Sequence, residues 1–270
     1  MPIERLITFT TDFGVNDHYV GVMKGVIQSI NPGVAMVDIT NGVQSFDILD
    51  GALAVSQAYS FFPKDTIHLV VVDPGAGGSR RPILASAGQY QFVAPDNGVL
   101  SLVYEREEQV SVRHITAEPY FLSNRSNTFH GRDVFAPVAA YLSKGVDATK
   151  FGDPITDYVR FLTPKPEAAA ANTWKAVVLK TDKFGNLITS ITPKDIPQLF
   201  DGSSHAFKIS VGQSEVTHLR SSYGQGAPGE MFALLGSAGF LEISLNRGSA
   251  SRMAGADKGT EVTVVLGGGH

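Results

Sequence analysis

The sequence lacks cysteine, and it has no apolar run near the ~20 residues that a membrane-spanning helix needs. The absence of cysteine excludes disulfides, thiolate catalysis and cysteine-based zinc or iron–sulfur sites, and it is compatible with a reducing compartment. The N-terminal segment LITFTTDFG is too short and too rich in β-forming residues for a signal peptide. We therefore predict a cytoplasmic protein without a membrane segment.

A strong charge of either sign is also missing. The 270 residues include 22 Lys and Arg against 26 Asp and Glu, and the net charge is -4. Neither a basic block nor an acidic tail is present, which argues against a nucleic-acid partner and favours a small molecule. The seven histidines show no HExxH or paired spacing, so no metal site is predicted.

The hydrophobic pattern divides the chain into two parts. In residues 1–163, strand-like runs such as RLITFTT, VAMVDIT and TIHLVVVD alternate with helical patterns, which predicts an α/β domain with a mostly parallel sheet flanked by helices. In residues 175–270, six short β-type runs predict a small all-β barrel or sandwich. The Pro- and Ala-rich residues 164–174 are predicted to be a linker.

Polar residues close or interrupt four of the predicted strands: Asp12, Asp38, Asp73 and the pair Asp96-Asn97. Each one alone is typical of a turn or a helix cap. Ligands of open parallel sheets, however, bind beyond the carboxyl ends of the strands. Several aspartates at one sheet edge therefore predict a polar rim suited to a sugar or another hydroxyl-bearing ligand.

Six segments carry a family resemblance when they are taken together and in order. They are TTDFGVNDHYVGVMKGVI, VVDPGAGGSRR, APDNGVLS, FHGRDVFAPVAA, TDKFGN and LGSAGFLEISLN, and they extend over nearly the whole chain. In them the sequence closely resembles the S-adenosyl-L-methionine hydroxide adenosyltransferases, which are hydrolase relatives of the fluorinase and chlorinase. The resemblance implies that water or hydroxide attacks the ribose C5′ of S-adenosylmethionine and releases adenosine and methionine, with no further cofactor. It also implies a homotrimer with active sites between subunits.

The resemblance implies a catalytic triad of Asp73, Arg80 and His130. In this interpretation the Arg80 guanidinium stabilises developing hydroxide, and either Asp73 or His130 accepts the proton. An ion pair that braces a loop, together with a buried histidine, would be the structural alternative. Arg81 is adjacent to Arg80 and of the same type, so the sequence alone does not separate the two arginines.

The same resemblance assigns substrate contacts in the first half of the chain. Asp12 is expected on the ribose hydroxyls, Asp17 on the same wall, and Phe46 against the ribose or the methionine. Gly131 stands where the fluorinase has its halide-binding serine. Because a desolvated halide would be repelled by the Asp73 carboxylate, hydrolysis is favoured over halogenation.

Further contacts are implied in the second half. Asp182 is expected to contact the methionine ammonium, Asn186 the adenine edge, and Ser237 the methionine carboxylate. Ala238 replaces an arginine of the fluorinase, so the carboxylate would rely on other donors. The adenine pocket would be completed by the backbone of Asn246, Arg247 and Gly248. Hairpin turns are the structural alternative for several of these segments.

Two other classes of function remain open at this point. One is a metal-dependent phosphohydrolase of nucleotides that uses the strand-end aspartates, which would lose activity with a chelator. The other is a non-catalytic protein that binds S-adenosylmethionine or adenosine without turnover.

Overall fold

The computed structural model describes residues 5–201 and 206–267. The chain forms two compact units that divide between Leu162 and Thr163. Among the described residues, no helix combines the length and the apolar character needed to cross a bilayer.

In its described residues, the first unit contains seven strands and four α-helices. The strands are β1 (Leu6–Thr11), β2 (Ala35–Thr40), β3 (Ile67–Val71), β4 (Pro82–Ala87), β5 (Tyr90–Pro95), β6 (Val110–His114) and β7 (Pro154–Ile155). The helices are α1 (Tyr19–Ile30), α2 (Ile48–Ala58), α3 (Ser101–Tyr104) and α4 (Ala136–Ser143). This confirms the predicted α/β class.

The seven strands form one sheet in the order β2-β1-β3-β5-β4-β6-β7. The first four strands of that order run parallel, because α1 and α2 return the chain to the same sheet edge after β1 and β2. The remaining pairings are antiparallel, and a tight hairpin joins β4 to β5. The carboxyl ends of β1 and β3 consequently lie side by side.

Helices cover both faces of this sheet. On α1, Val20, Met23 and Ile27 face the core, the spacing expected of an amphipathic helix, and they pack with α4 against β1 and β3. Helices α2 and α3 pack with the opposite side of β3 and β5. The strands of the parallel part are thus buried on both faces, and their ends are the positions left for polar side chains.

The described part of the second unit contains nine strands and one short α-helix. The strands are β8 (Glu167–Ala170), β9 (Thr173–Thr181), β10 (Leu187–Thr189), β11 (Phe207–Val211), β12 (Ser214–Val216), β13 (Leu219–Arg220), β14 (Met231–Leu235), β15 (Leu241–Leu245) and β16 (Glu261–Leu266). Helix α5 spans Ala250–Ala254. The strands form one curled sheet, a half-barrel in the order β12-β11-β16-β9-β10-β15-β14-β13, with β8 beside β9. All six predicted β-type runs form strands.

The stretch predicted as a linker, residues 164–174, contains more structure than expected. Its strand β8 pairs antiparallel with β9, and Ala168 lies opposite Trp174. The alanine-rich sequence EAAA has low β-propensity, so this strand is specified by its pairing partner and not by its own residues.

Candidate active site

The first unit contains a cavity of about 470 Å³ at the carboxyl ends of β1 and β3. Its lining residues are Asp12, Phe13, Asp17, Tyr19, Ser45, Phe46, Val71, Asp73, Ala76, Thr128, Phe129, His130 and Gly131. The cavity lies at the sheet edge where the sequence predicts a ligand site. We call it the first cavity.

The structure brings Asp73, Arg80 and His130 into direct contact. Arg80 Nε donates to Asp73 Oδ1 at 2.9 Å, and Arg80 Nη2 donates to Asp73 Oδ2. The same Nη2 lies 3.1 Å from His130 Nδ1. The side chains of Arg80 and Asp73 are only 9% and 6% exposed, so this bidentate pair is shielded from water.

Two loops create this contact. At Gly77, φ is +79°, and a Cβ atom would lie 2.3 Å from the carbonyl oxygen of Asn127. Only glycine permits such an approach between the loop that carries Arg80 and the loop that carries His130. A π-helical turn, Gly131–Phe135, follows His130, and the ring of Phe135 has its centroid 5.1 Å from Arg80 Cζ. The guanidinium is therefore fixed by a carboxylate, an imidazole and an aromatic face.

The contact also defines the protonation of His130. A guanidinium can only donate hydrogen bonds, so Nδ1 must accept, and the neutral ring carries its proton on Nε2. Burial, and then the charge of Arg80, lower the pKa of His130 from its ordinary value of 6.5. Both features favour a neutral imidazole at pH 7.

One donor atom of Arg80 is not used by the protein. Nη1 is buried and has no hydrogen-bond partner among the described residues. A buried N–H group without a partner costs about 1–3 kcal/mol. An oxygen atom bound beside Arg80 would remove that cost.

Arg81 has a different environment from Arg80. Its Nε and Nη2 donate to Asp96 Oδ2 at 2.9 and 2.7 Å, and its Nη1 donates to Asp157 Oδ1 at 2.8 Å. The Asp96 side chain is 2% exposed and also accepts from the backbone N–H of Val159. Arg81 and Asp96 thus connect the end of β5 to residues 157–159, which is a structural role.

The predicted polar rim of strand-end residues therefore separates into two groups. Asp12 and Asp73 line the first cavity. Asp96 is buried against Arg81, and Asp38 pairs with Lys24 on α1. Asn97 donates from Nδ2 to the carbonyl oxygen of Val72, the residue after β3, at 2.8 Å. None of these three residues belongs to the lining of the first cavity, and their contacts join parts of the fold.

Asp12 holds the loop that carries Phe46. Its Oδ2 accepts the backbone N–H of Phe46 at 2.9 Å, and Phe46 has a left-handed backbone with φ of +67°. That conformation costs a non-glycine residue about 1–3 kcal/mol, and such strain concentrates at functional sites. Phe46 lines the cavity and is 73% exposed. Asp17 lines the same cavity with an exposed side chain.

Close packing around Gly131 restricts the size of the residue at this position. A Cβ atom at this position would lie 3.1 Å from Met23 Sδ and 3.1 Å from Phe129 Cε2. A serine would require both neighbours to shift by a few tenths of an ångström. The packing of α1 and Phe129 therefore favours glycine at this position.

Three aromatic residues of the lining, Phe13, Tyr19 and Phe129, were not among the predicted site residues. The rings of Phe13 and Tyr19 lie 5.8 and 5.2 Å from that of Phe129, each edge to face. All three lie within the motifs TTDFGVNDHYVGVMKGVI and FHGRDVFAPVAA. The signal was present in the sequence, but aromatic residues next to polar ones are equally typical of a packed core.

The second unit has a cavity of its own, of about 530 Å³, which we call the second cavity. Its lining residues are Asp182, Phe184, Asn186, Tyr223, Leu245, Arg247 and Gly248. Four of the predicted contacts, Asp182, Asn186, Arg247 and Gly248, are thus brought together, whereas Phe184, Tyr223 and Leu245 were not anticipated.

Two predicted residues lie elsewhere in the second unit. Ser237 is exposed in the turn between β14 and β15, and Asn246 donates from Nδ2 to the carbonyl oxygen of Gly226 at 2.5 Å. Neither belongs to the lining of the second cavity. Their contacts to the substrate stay predictions.

Asp182 orients Asn186. Its Oδ1 accepts the backbone N–H groups of Phe184 and Asn186 at 2.9 and 2.8 Å, and its Oδ2 accepts from Asn186 Nδ2 at 2.8 Å. A carboxylate only accepts, so the amide nitrogen must face Asp182 and the amide oxygen must face away. The contact of Asp182 to a methionine ammonium stays a prediction.

Within residues 5–201 and 206–267, no three His, Asp or Glu side chains are grouped so that they could hold a metal ion.

Comparison with known proteins extends these observations over the whole chain. Residues 7–152 match the family model of the SAM hydroxide adenosyltransferase N-terminal domain, and residues 176–263 match that of the C-terminal domain. The fold and the cavities thus define an enzyme with an N-terminal α/β unit and a C-terminal β unit. The chain belongs to the SAM hydroxide adenosyltransferase family.

Individual relatives agree with this assignment. The chain is 34% identical to a Thermus thermophilus protein named (R)-S-adenosyl-L-methionine hydrolase, and the match covers 97% of this chain and 100% of the relative. A crystal structure of an uncharacterized conserved protein from Thermotoga maritima has a TM-score of 0.88 and 37% identity, covering 96% of this chain and 99% of that one. A Nocardia brasiliensis protein named Fluorinase is more distant, at 26% identity over 97% of both chains.

Proposed function

We propose that this protein hydrolyses S-adenosyl-L-methionine to adenosine and methionine, with attack of water or hydroxide on the ribose C5′. Its family and the hydrolases among its relatives support the overall reaction. The observation that carries the proposal is the contact of Arg80 with both Asp73 and His130 at the first cavity.

The main chemical difficulty of this reaction is to generate a competent oxygen nucleophile from water. As the O–C5′ bond forms, the C5′–S bond breaks and its electron pair returns to sulfur, which leaves as a neutral thioether without a proton. Arg80 stays charged at any working pH, and its buried Nη1 is suited to bind the attacking oxygen and stabilise developing hydroxide.

The proton of the water goes to Asp73 in this proposal. Neutral His130 accepts from Arg80 at Nδ1 and carries a proton on Nε2, so it has no free lone pair. Asp73 lines the cavity, and each of its oxygens retains a further lone pair besides the one that Arg80 uses. His130 then serves to hold Arg80, and its Nε2–H group can donate to the nucleophile.

The substrate contacts follow from the chemistry of the two cavities. Asp12 and Phe46 would hold the ribose at the first cavity, because a carboxylate can accept from two hydroxyl groups. Asn186 would accept from the amino group of adenine at the second cavity, since its amide oxygen faces away from Asp182.

The decisive experiment is an incubation of the purified protein with S-adenosylmethionine in H₂¹⁸O, followed by chromatography and mass spectrometry. We expect adenosine labelled at the 5′ oxygen, together with unlabelled methionine. Activity should persist with a chelator, whereas its loss would support the metal-dependent phosphohydrolase. Binding without turnover would support the non-catalytic alternative, and formation of halogenated nucleoside in the presence of halide would contradict the hydrolase assignment.

We also propose a homotrimer in which each active site lies between subunits. Two impaired variants, Arg80→Ala and Asn186→Ala, are then expected to complement each other after mixing and refolding. Random assembly would restore kcat/KM to about a quarter of the wild-type value, because one site in four combines two intact halves. Activity assays far below KM, with size determination by light scattering, measure this. A fully active monomer, or mixed trimers without recovered activity, would contradict the proposal.

The pH dependence of kcat/KM should show the titration of His130. Protonation would turn Nδ1 from an acceptor into a donor facing Arg80, so activity should fall on acidification. Since burial and Arg80 lower the pKa of His130, the midpoint of that fall is expected below pH 6.5. In His130→Asn, which keeps an acceptor but does not titrate, this acid limb should disappear. If the midpoint lay above pH 6.5 and the acid limb persisted in His130→Asn, the proposed role of His130 would be wrong.

A further inference from the structure

The second unit buries a carboxylate that the proposed reaction does not use. Glu242 lies on β15, which pairs with β10 and β14, and it is 7% exposed. A carboxyl group in the middle of a sheet is unfavourable unless it is hydrogen-bonded. Burial is also the main cause that raises the pKa of Glu242, with a smaller contribution from Asp182, while a hydrogen bond from Tyr223 opposes the rise.

Tyr223 is the partner of this carboxyl group and lines the second cavity. Its hydroxyl donates to Glu242 Oε2 at 2.7 Å. Burial and the neighbouring Glu242 raise the pKa of Tyr223, so the phenol stays protonated and remains a donor at pH 7. Glu242 thus anchors the far end of a half-exposed aromatic side chain.

The surrounding backbone is shaped to fit Glu242. A Cβ atom at Gly236 would lie 1.9 Å from Glu242 Oε1 and 2.4 Å from its Cδ, so any side chain there would displace the carboxyl group. A Cβ atom at Gly226, which follows Tyr223 in the same loop, would lie 2.3 Å from the ring of Phe232. The loop is therefore held close to β14 at its base, and the Tyr223 ring is held by Glu242 at its tip.

The lining of the second cavity indicates what this ring would contact. Phe184, Tyr223 and Leu245 contribute aromatic and apolar surface, and Asn186 contributes an amide oxygen. Asp182 and Arg247 add charged groups to this lining, but the Asp182 carboxylate already accepts three hydrogen bonds from Phe184 and Asn186. The aromatic and apolar surface, together with the amide oxygen of Asn186, therefore suits a planar base with an exocyclic amino group.

We propose that Glu242 is a positioning residue, which fixes the ring of Tyr223 in the wall of the second cavity, where the ring packs on the adenine base. This inference rests on the proposed function for the identity of the ligand. An aromatic side chain that is already ordered loses less conformational freedom on binding, which strengthens binding without new contacts. The effect should therefore fall on nucleoside affinity and not on the chemical step.

The test measures adenosine binding by calorimetry on the full-length protein. Tyr223→Phe keeps the ring but loses the anchoring hydroxyl, and Glu242→Leu replaces the carboxyl group by an apolar side chain of similar volume. Each is expected to raise the Kd of adenosine by about three- to tenfold. The double variant should bind no worse than either single variant, because both remove the same interaction. Glu242→Gln keeps an acceptor oxygen and should restore near-wild-type affinity, and in the other variants the loss of kcat/KM should appear as a rise in KM.

The chain provides a matched control in its first unit. There, Tyr59 donates to Glu107 Oε1 at 2.6 Å, and a Cβ atom at Gly88 would lie 2.1 Å from Glu107 Oε2, but neither Tyr59 nor Glu107 lines the first cavity. Tyr59→Phe, the counterpart of Tyr223→Phe, should leave the Kd of adenosine and the KM unchanged.

Three outcomes would overturn the inference. Unchanged adenosine affinity in Tyr223→Phe would do so even if Glu242→Leu failed to fold. Additive effects in the double variant would show that the two residues act separately. If the wild-type protein neither bound adenosine nor released it from S-adenosylmethionine, the proposed function would fail and this inference with it. If the wild-type protein binds adenosine and the variants bind it with the same Kd, this inference fails and the proposed function stands.

Discussion

Replacing Arg80 by alanine is expected to lower kcat by about 10²–10³-fold, the usual effect of removing a donor that stabilises a developing oxyanion. Arg80 contacts Asp73 and His130, which both line the first cavity, and its buried Nη1 has no hydrogen-bond partner among the described residues, so its loss would remove the proposed stabilisation of hydroxide. Steady-state kinetics measures the fall in kcat, and calorimetry with adenosine should show that nucleoside binding is largely retained.

Arg81→Ala is the matched control for this prediction. Arg81 is adjacent and of the same type, but it donates to Asp96 and Asp157 instead. Its removal leaves the buried Asp96 carboxylate without its cation, which should lower the free energy of unfolding by about 1–3 kcal/mol. The kcat of the folded protein should stay within about twofold of wild type, because no group at the first cavity changes. Equal losses of kcat in the two variants, or a loss of binding with intact turnover in Arg80→Ala, would refute the assignment.

Acidification from pH 6 to pH 4 is expected to destabilise the first unit through His68, by about 1.4 kcal/mol for each pH unit. The ring of His68 is 0% exposed, and it stacks on Phe92 with 4.9 Å between ring centroids. Its Nδ1 lies 2.7 Å from Thr8 Oγ1. Burial lowers the pKa of His68 from 6.5 to about 3.

The sign of this effect follows from the proton count. Between pH 6.5 and 3, the unfolded chain binds a proton at His68 that the folded chain does not bind, so stability falls as the pH falls and levels off near pH 3. His68→Asn cannot titrate there and keeps a polar atom within reach of Thr8. Urea unfolding followed by circular dichroism at several pH values should show a shallower decline for this variant. Parallel curves for the two proteins would contradict the prediction.

Local pattern was sufficient for most of the architecture. The alternation of apolar runs and helical stripes predicted the strands and helices of the parallel part, and all six β-type runs of the second unit form strands. Strand β4, with the sequence PILASA, was missed because it begins with proline and has one β-branched residue. It forms because β5 and β6 supply ladder partners on both sides. Strand β8 likewise depends on its neighbour.

The candidate site shows the same division between local and distant information. Asp73 and Asp96 both follow strands, and each pairs with one of two adjacent arginines, yet only the first pair lies at the first cavity. No local feature distinguishes the pairs, and the family resemblance selected Arg80. Tyr223 and Glu242 escaped prediction because their contact joins a glycine-rich loop to a strand 19 positions away.

The residues by themselves determined the class of each half, the absence of cysteine chemistry, and the motifs that mark the family, since each of these is written in composition or in short-range spacing. Tertiary structure alone decided how Arg80 contacts His130, which strand-end carboxylates are buried, and which aromatic rings line the two cavities. The physical reason is that such contacts depend on how loops from separate strands converge, and the close approach of Gly77 to Asn127 is set by packing across some 50 residues of chain.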